Sequence, residues 1–508
     1  MSIIEKINLY AKTRSNVVAC YNYSHDQVVQ SLTYKELVDF SDKLGFYLQK
    51  TLGDNKNPIV VYGHKNPYML VCFLACVKSG RAYVPVDISV PKERVKDIVD
   101  ATNTPLVLCT ESTELLFDNV IHLDEIKDII NVTDKKITSD YYVKAEDIFY
   151  IIFTSGSTGN PKGVRITEQC LINFIRWAVT LGEKNFADKQ VTIINQAPFS
   201  FDLSVMDLYM SLYLGGTLWC LEKSAQSNYG VMYESLKKSN ANIMVSTPSF
   251  ANLCLSGDVF DKNLMPKMEL FLFCGETLPN STAKQLLDRF PKANVINTYG
   301  PTESTVAVTE IDVTHEILKG YNPLPVGEVK PGTHIFIQDE SGNLLPEGDK
   351  GEIVIVGDTV SPGYLNAPNI SFSKKKVGKK LYRSYRTGDK GYIKDGYIFY
   401  CGRMDSQIKL HGYRIEIEDI ENNLQKLPII KNAAVIPVEN SGAIDYLVAF
   451  VVVDFEVESS LKASVVIKKG LQRFLPQYMV PKKFVFKDAL PITDRGKIDR
   501  RKLKEEVA

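Results

Sequence analysis

The chain has 508 residues, and its 60 Lys plus Arg are matched by 60 Asp plus Glu, so its formal charge near neutral pH is zero. That balance leaves no basic footprint for nucleic acid or an anionic membrane. A composition of 44% hydrophobic and 24% charged residues is that of a globular protein, with room for roughly two to four folding units.

The N-terminal MSIIEKINLYAKTR has no apolar signal-peptide core. The apolar stretches at 69–77 and 446–455 are too short to span a bilayer. Nine dispersed cysteines without a C-x-x-C pair read as reduced thiols of a cytoplasmic protein. Six dispersed histidines argue against structural zinc. Apolar runs at 58–62, 82–84, 148–153, 242–246, 269–274 and 294–296 predict buried strands. Helical periodicity fills the gaps. At 168–180, Cys170, Leu171, Phe174, Ile175, Ala178 and Val179 share one face. Alternating strands and helices predict an α/β fold with layered, largely parallel sheets. From about 326 to 401 the signals become β, ending in GYIK-DG-YIFY. There Asp395-Gly396 can take the positive φ angles of a hairpin turn. GRMDSQIKLHGYRIE then carries five charged residues between two patterned regions and reads as a boundary. Beyond it, helix 417–427, strands 433–438 and 447–453 and helix 463–475 predict a compact α+β unit. The expectation is a large domain, 1–404, with a β subdomain at about 326–401, and a small mobile C-terminal domain, 405–508.

The chemistry begins at IFYIIFTSGSTGNPKGV. An apolar strand runs into a loop, 154–163, rich in Gly, Ser and Thr. Such a loop turns successive N–H groups toward one point and suits a polyphosphate. It is not a Walker A loop, because Gly163 follows Lys162 where Ser or Thr is required. On the loop alone, a flexible surface turn is the favoured reading.

The loop does not stand alone. LTYKEL, KSGRAYVPVDISVPKERV, FSFDLS, NTYGPTE, YRTGD, GRMDSQIKLHGYRIE, LPQYMVP and PITDRGKIDR lie in one order along nearly the whole chain. Together they resemble the signature series of the adenylate-forming superfamily, which includes acyl-CoA synthetases, luciferases and peptide-synthetase adenylation domains. The resemblance implies activation of a carboxylic acid by ATP and Mg²⁺. In NTYGPTE it assigns Asn297, Thr298, Tyr299, Gly300, Pro301 and Thr302 to ATP, and Glu303 to Mg²⁺. An aromatic face suits adenine, and a carboxylate oxygen suits the metal. It places Thr154 and Ser155 on the outer phosphates, and Tyr400 on the nucleotide. Asp389 and Arg403 fall to the ribose, where an acceptor-only carboxylate matches two hydroxyls. Lys497 becomes the catalytic lysine, bridging substrate carboxylate and α-phosphate. Asp405 becomes a hinge about which the C-terminal domain presents Lys497, then a second face for thiol attack.

In amino-acid-activating members, an Asp in the motif matched by FSFDLS pairs with the substrate ammonium, so Asp202 implies an amino acid. The same carry-over lines the pocket with Leu203, Met206, Cys274, Thr298, Val306 and Ala307. No charged or large aromatic group is among them, and Cys274 stands where relatives usually have Gly; both imply a small substrate. FCGE, His411 and the length resemble the branch that activates D-alanine. That branch loads it onto the phosphopantetheine thiol of a carrier protein for teichoic acid D-alanylation. The ending soon after PITDRGKIDRRKL implies a carrier acting in trans. An adenylation enzyme for another small amino acid is the runner-up. An acyl-CoA synthetase is disfavoured by Asp202. A silent nucleotide-binding scaffold has no need of Lys497, Glu303, Asp389 and Arg403 together.

Overall fold

The computed structural model describes residues 1–23, 30–112, 119–156, 161–184, 186, 189–405, 407–440, 443–455, 457, 459–492 and 498–507. The chain divides into two compact units. The first holds Met1–Asp87, Thr102–Ile152 and Gly163–Gly402; the second holds Ile88–Ala101, Phe153–Lys162 and Arg403–Ala508.

The fold class is mixed α/β, as the alternating pattern predicts. The first unit is built on two large sheets. One has nine strands in the order Glu328–Val329, Thr309–Asp312, Asn294–Tyr299, Leu270–Phe273, Ile243–Ser246, Thr192–Asn195, Thr217–Leu221, Val18–Tyr23 and Gln30–Thr33. Its middle pairings are parallel. The other has six strands in the order Val120–His122, Val107–Cys109, Ile59–Tyr62, Tyr83–Val86, Ile148–Thr154 and Lys162–Thr167. Helices Pro67–Lys78 and Leu203–Leu214 are apolar and buried on nearly every side. A helix with no polar face must be covered all round. Both join one core with residues of the two sheets, among them Val61, Phe149, Ile193 and Val245. The nine-stranded sheet alternates by the period of two that strands impose. Ile193, Val245 and Leu272 face that core, whereas Ile194, Met244 and Phe271 face a second one.

The predicted elements are present with small shifts at their ends. Helix Glu168–Ala178 starts on a Thr167 cap and buries Cys170, Leu171, Phe174, Ile175 and Ala178, while Val179 falls on its C-cap. The β-rich segment forms a five-stranded sheet, with Lys380–Lys394 paired to Tyr397–Arg403. The intervening Asp395 and Gly396 take φ of 53° and 79°.

In the second unit, Ile430–Asn440 and Ala443–Val453 pair antiparallel, and Lys483–Phe486 adds in parallel. Ile415, Ile420, Leu424, Ala449, Val451, Ile467 and Leu471 form its core. Buried Asp419 accepts from Arg94 at 3.1 Å. The stretch read from sequence as a charged boundary is more ordered than expected. Gln407–Leu410 and Tyr413–Glu416 form a hairpin, with His411 at φ 51° and Gly412 at φ 84°.

Candidate active site

Strand Asn294–Tyr299 delivers three of the expected residues in succession, Asn297, Thr298 and Tyr299. Asn297 Nδ2 donates to Pro325 O at 2.8 Å, and Thr298 Oγ1 donates to Phe273 O at 2.8 Å. The second bond ties this strand to the start of the Cys274 loop. Tyr299 donates its hydroxyl to an Asp389 carboxylate oxygen, and its ring lies 5.9 Å from that of Tyr400. Both Tyr299 and Asp389 are buried. The residues expected to divide adenine and ribose between them are therefore hydrogen-bonded to each other. Burial, and then the Asp389 charge, push the Tyr299 phenol well above its ordinary range. It stays a neutral donor at any physiological pH.

The chain then turns sharply. A Cβ on Gly300 would come within 2.6 Å of Ala307 Cα and 2.8 Å of Val306 O, so only glycine fits. After the short turn Thr302–Ser304, Thr305 and Val306 have φ of 63° and 68°. Ala307 N bonds Thr305 O at 2.9 Å, closing a three-residue turn about Val306. A β-branched residue is rarely held there, and such strain clusters at functional sites. The turn aims Val306 O at Cys274 Sγ, 3.5 Å away. Cys274, Thr298 and Val306, expected from the sequence to share a pocket wall, thus meet.

Asp202 precedes helix Leu203–Leu214 but makes no side-chain cap bond to it. Its Oδ2 instead accepts from Thr302 Oγ1 at 2.6 Å. A hydroxyl on a carboxylate is among the stronger neutral-to-charged hydrogen bonds. It fixes the carboxylate beside the NTYGPTE turn. Glu303 is fully buried and accepts from Tyr364 Oη at 2.7 Å. No group of three or more metal-ligating side chains is present among the described residues. One oxygen ligand is enough for a magnesium ion that takes its other ligands from phosphates and water. Glu303 fits that use. Sequence reasoning missed Tyr364; it lies 61 residues from its partner, and no local pattern marks it.

In the second unit, Thr154 ends its strand and Ser155 is buried. Ser155 Oγ donates to Arg414 O at 2.9 Å and accepts from Glu416 N at 3.2 Å. The hydroxyl expected to hold phosphate is thus occupied by the Gln407–Glu416 hairpin. Burial raises the Glu416 carboxyl, while Arg414 and Lys162 pull it back. Arg403 forks onto Asp405 through Nε, at 2.8 Å, and Nη2. The expected ribose ligand and hinge are therefore ion-paired. The Asp405 carboxyl is lowered: burial opposes this, and the Arg403 bond and charge outweigh it. Arg403 belongs to the second unit, whereas Asp389 belongs to the first. Lys497 and residues 157–160 of the loop lie outside the described residues. The chain beside Lys497 is anchored: Ile492 and Ile498 form a β-bridge, and both Arg500 terminal nitrogens reach Glu421 at 2.7 Å.

This geometry joins a carboxylate fixed by a hydroxyl and a positive-φ turn packed against Cys274. Residues 10–365 match the profile of the AMP-binding enzyme family, and 419–497 match that of the AMP-binding enzyme C-terminal domain. The chain belongs to the AMP-binding enzyme family. It is 48% identical over 521 residues to a D-alanine–D-alanyl carrier protein ligase of Listeria monocytogenes serotype 4b, covering 100% of this chain and 99% of the relative. It is 46% identical over 482 residues to the ligase of the same name from Bacillus cytotoxicus, covering 94% of each. Among solved structures, an NRPS protein containing adenylation and PCP domains, bound to a vinylsulfonamide inhibitor, superposes with a TM-score of 0.84. It is 25% identical, with 99% of this chain and 84% of that one covered. The Vibrio cholerae adenylation domain AlmE, in complex with glycyl-adenosine-5'-phosphate, has a TM-score of 0.81 at 23% identity, covering 99% and 96%.

Proposed function

We propose that this chain is an ATP-dependent ligase for D-alanine. It forms D-alanyl-AMP with release of pyrophosphate, then passes D-alanine to the phosphopantetheine thiol of a carrier protein. The observation that carries the reading is Asp202, held by Thr302 at 2.6 Å beside the wall of Cys274 and Val306. A fixed carboxylate suits an ammonium, and a small neutral wall suits a methyl side chain. The names printed for relatives of nearly equal length give the same substrate and the same carrier.

In this reading residues 1–404 bind the substrates and 405–508 act as a lid turning about Asp405. Thr154 and Ser155 hold the outer phosphates of ATP. The NTYGPTE turn and Tyr400 receive the nucleotide, and Asp389 and Arg403 take the ribose. Glu303 would hold Mg²⁺, which supplies charge neutralisation at the phosphates. Lys497 stabilises the charge that develops as the carboxylate displaces pyrophosphate. The work is done in the cytoplasm, and the thioester feeds D-alanylation of teichoic acids.

Pyrophosphate exchange with D-alanine, L-alanine, glycine, serine and a fatty acid tests the reading. D-Alanine should lead, with residual exchange on glycine and serine. A single methyl group in such a pocket distinguishes substrates by only about 1–3 kcal/mol. Preference for L-alanine would reject the stereochemistry, and no exchange with any acid would favour a scaffold. Lys497→Ala should abolish adenylation yet still thiolate from supplied D-alanyl-AMP; equal loss of both halves would reject that division.

A further inference from the structure

Two neighbouring parallel strands of the six-stranded sheet, Ile59–Tyr62 and Tyr83–Val86, run out toward His64 and Asp87. From the first strand the chain crosses to the second on one side, then returns to Val107–Cys109 on the other. The strand order therefore reverses direction at Ile59–Tyr62 and Tyr83–Val86. Strand ends at such a reversal of order are where open α/β sheets take ligands.

His64 Nδ1 lies 2.6 Å from Asp87 Oδ2, with the two side chains only 12% and 5% exposed. A carboxylate there keeps the proton on Nδ1, so Nε2 carries the lone pair. His64 Nε2 is buried and has no hydrogen-bond partner among the described residues. An orphaned buried nitrogen is costly, and a bound group is one thing that completes it. By contrast, His315 and Asp288 stand 3.9 Å apart with about half of each side chain exposed.

The His64 turn is also tied to the strand that leads to Asp202. Lys65 is held at φ 52°. Its Nζ donates to Asn195 O at 3.0 Å, Gln196 O at 2.7 Å and Leu221 O at 2.8 Å. The His64 turn is thereby pinned to the end of strand Thr192–Asn195, from which the chain runs directly to Asp202.

We propose that His64, oriented by Asp87, is the general base of the second half-reaction and accepts the proton of the acceptor thiol at Nε2. This rests on the ligase reading above. An alkyl thiol, with a pKa near about 8.5 like that of cysteine, is mostly protonated at neutral pH and attacks only as thiolate. A carboxylate-oriented imidazole is the usual device for activating such a nucleophile. The S–H proton passes to Nε2 while the sulfur electron pair forms the bond to the acyl carbon. The bond from that carbon to the phosphate oxygen breaks, and AMP leaves with its electron pair. The imidazolium then returns its proton to solvent. Asp87 faces it directly, with Glu111, Glu222 and Lys65 as the other charged neighbours.

The test compares pyrophosphate exchange with single-turnover transfer to pantetheine, using the full chain with ATP, Mg²⁺ and D-alanine. In His64→Gln the transfer-to-exchange ratio should fall about 100-fold, the usual scale of a general base. The rising acid-side limb of the transfer pH profile should disappear. Asp87→Asn, a positioning change, should shift that limb. His64→Gly should recover transfer when imidazole is added, and the unsubstituted enzyme should show a solvent isotope effect on transfer. An unchanged ratio, no imidazole rescue, or no isotope effect would overturn the role of His64. Absence of any D-alanine-dependent exchange in the unsubstituted chain would instead overturn the ligase reading beneath it.

Discussion

Thr302→Val removes one hydroxyl and changes almost nothing else. The side chain keeps its shape at a buried position, so the turn Thr302–Ser304 should fold as before. What is lost is the 2.6 Å hydrogen bond to Asp202 Oδ2. Hydrogen bonds to charged groups contribute about 1.5–3 kcal/mol, which corresponds to roughly 10–150-fold in an equilibrium. If that bond orients Asp202 for the substrate ammonium, kcat/KM for D-alanine falls by this factor. Steady-state pyrophosphate exchange over a range of D-alanine concentrations measures it. The decisive comparison is a double-mutant cycle with Asp202→Asn. Thr302 acting through Asp202 predicts that Thr302→Val costs little in the Asp202→Asn background. Full additivity, or an unchanged kcat/KM in the single variant, would refute the reasoning.

Gly300→Ala should lower both melting temperature and kcat/KM. Ordinary contact begins near 3.4 Å, so Ala307 Cα at 2.6 Å must retreat by 3.4 − 2.6 = 0.8 Å; overpacking of this kind costs about 1–3 kcal/mol, and an unshifted melting curve would count against it. Gly327→Ala should be far worse. Its Cβ would sit 1.8 Å from Glu310 O at φ 97°, and loss of soluble protein or a melting temperature many degrees lower is expected. Burial pushes the Lys65 ammonium down to about 8 from 10.5. Below about pH 8 both states hold the proton and the burial penalty is fully present. Between about 8 and 10.5 the unfolded chain binds more protons, so stability rises with pH, by about 3 kcal/mol at most. Denaturant titrations of the native chain and Lys65→Met across this range should show a rise that the variant lacks.

Much of the fold was legible because its causes are short-range. Helix Glu168–Ala178 follows from an apolar stripe and a Thr167 cap, and the Asp395-Gly396 turn from two residues that tolerate positive φ. The Gln407–Glu416 hairpin was overlooked for a reason of the same kind. Its charged residues suggested a boundary, although His411-Gly412 carried the turn signal between two alternating runs. The site was legible as a set of motifs, but its internal bonding was not. Tyr299 on Asp389, Tyr364 on Glu303, Ser155 on Arg414 and Arg403 on Asp405 each engage a group that sequence reasoning had assigned to substrate, metal or hinge.

The sequence by itself determined the order of strands and helices, the chemical kind of each motif and the smallness of the pocket residues. These depend on periodicity, on backbone preference and on side-chain type within a few neighbours. Only the tertiary structure decided which oxygen meets which hydroxyl. Asp202 and Thr302 are 100 residues apart, and a hydrogen bond exists only within a few tenths of an ångström and a narrow angle. No local pattern encodes that coincidence; the packing of helix Leu203–Leu214 and the turn at Gly300 against the same core creates it.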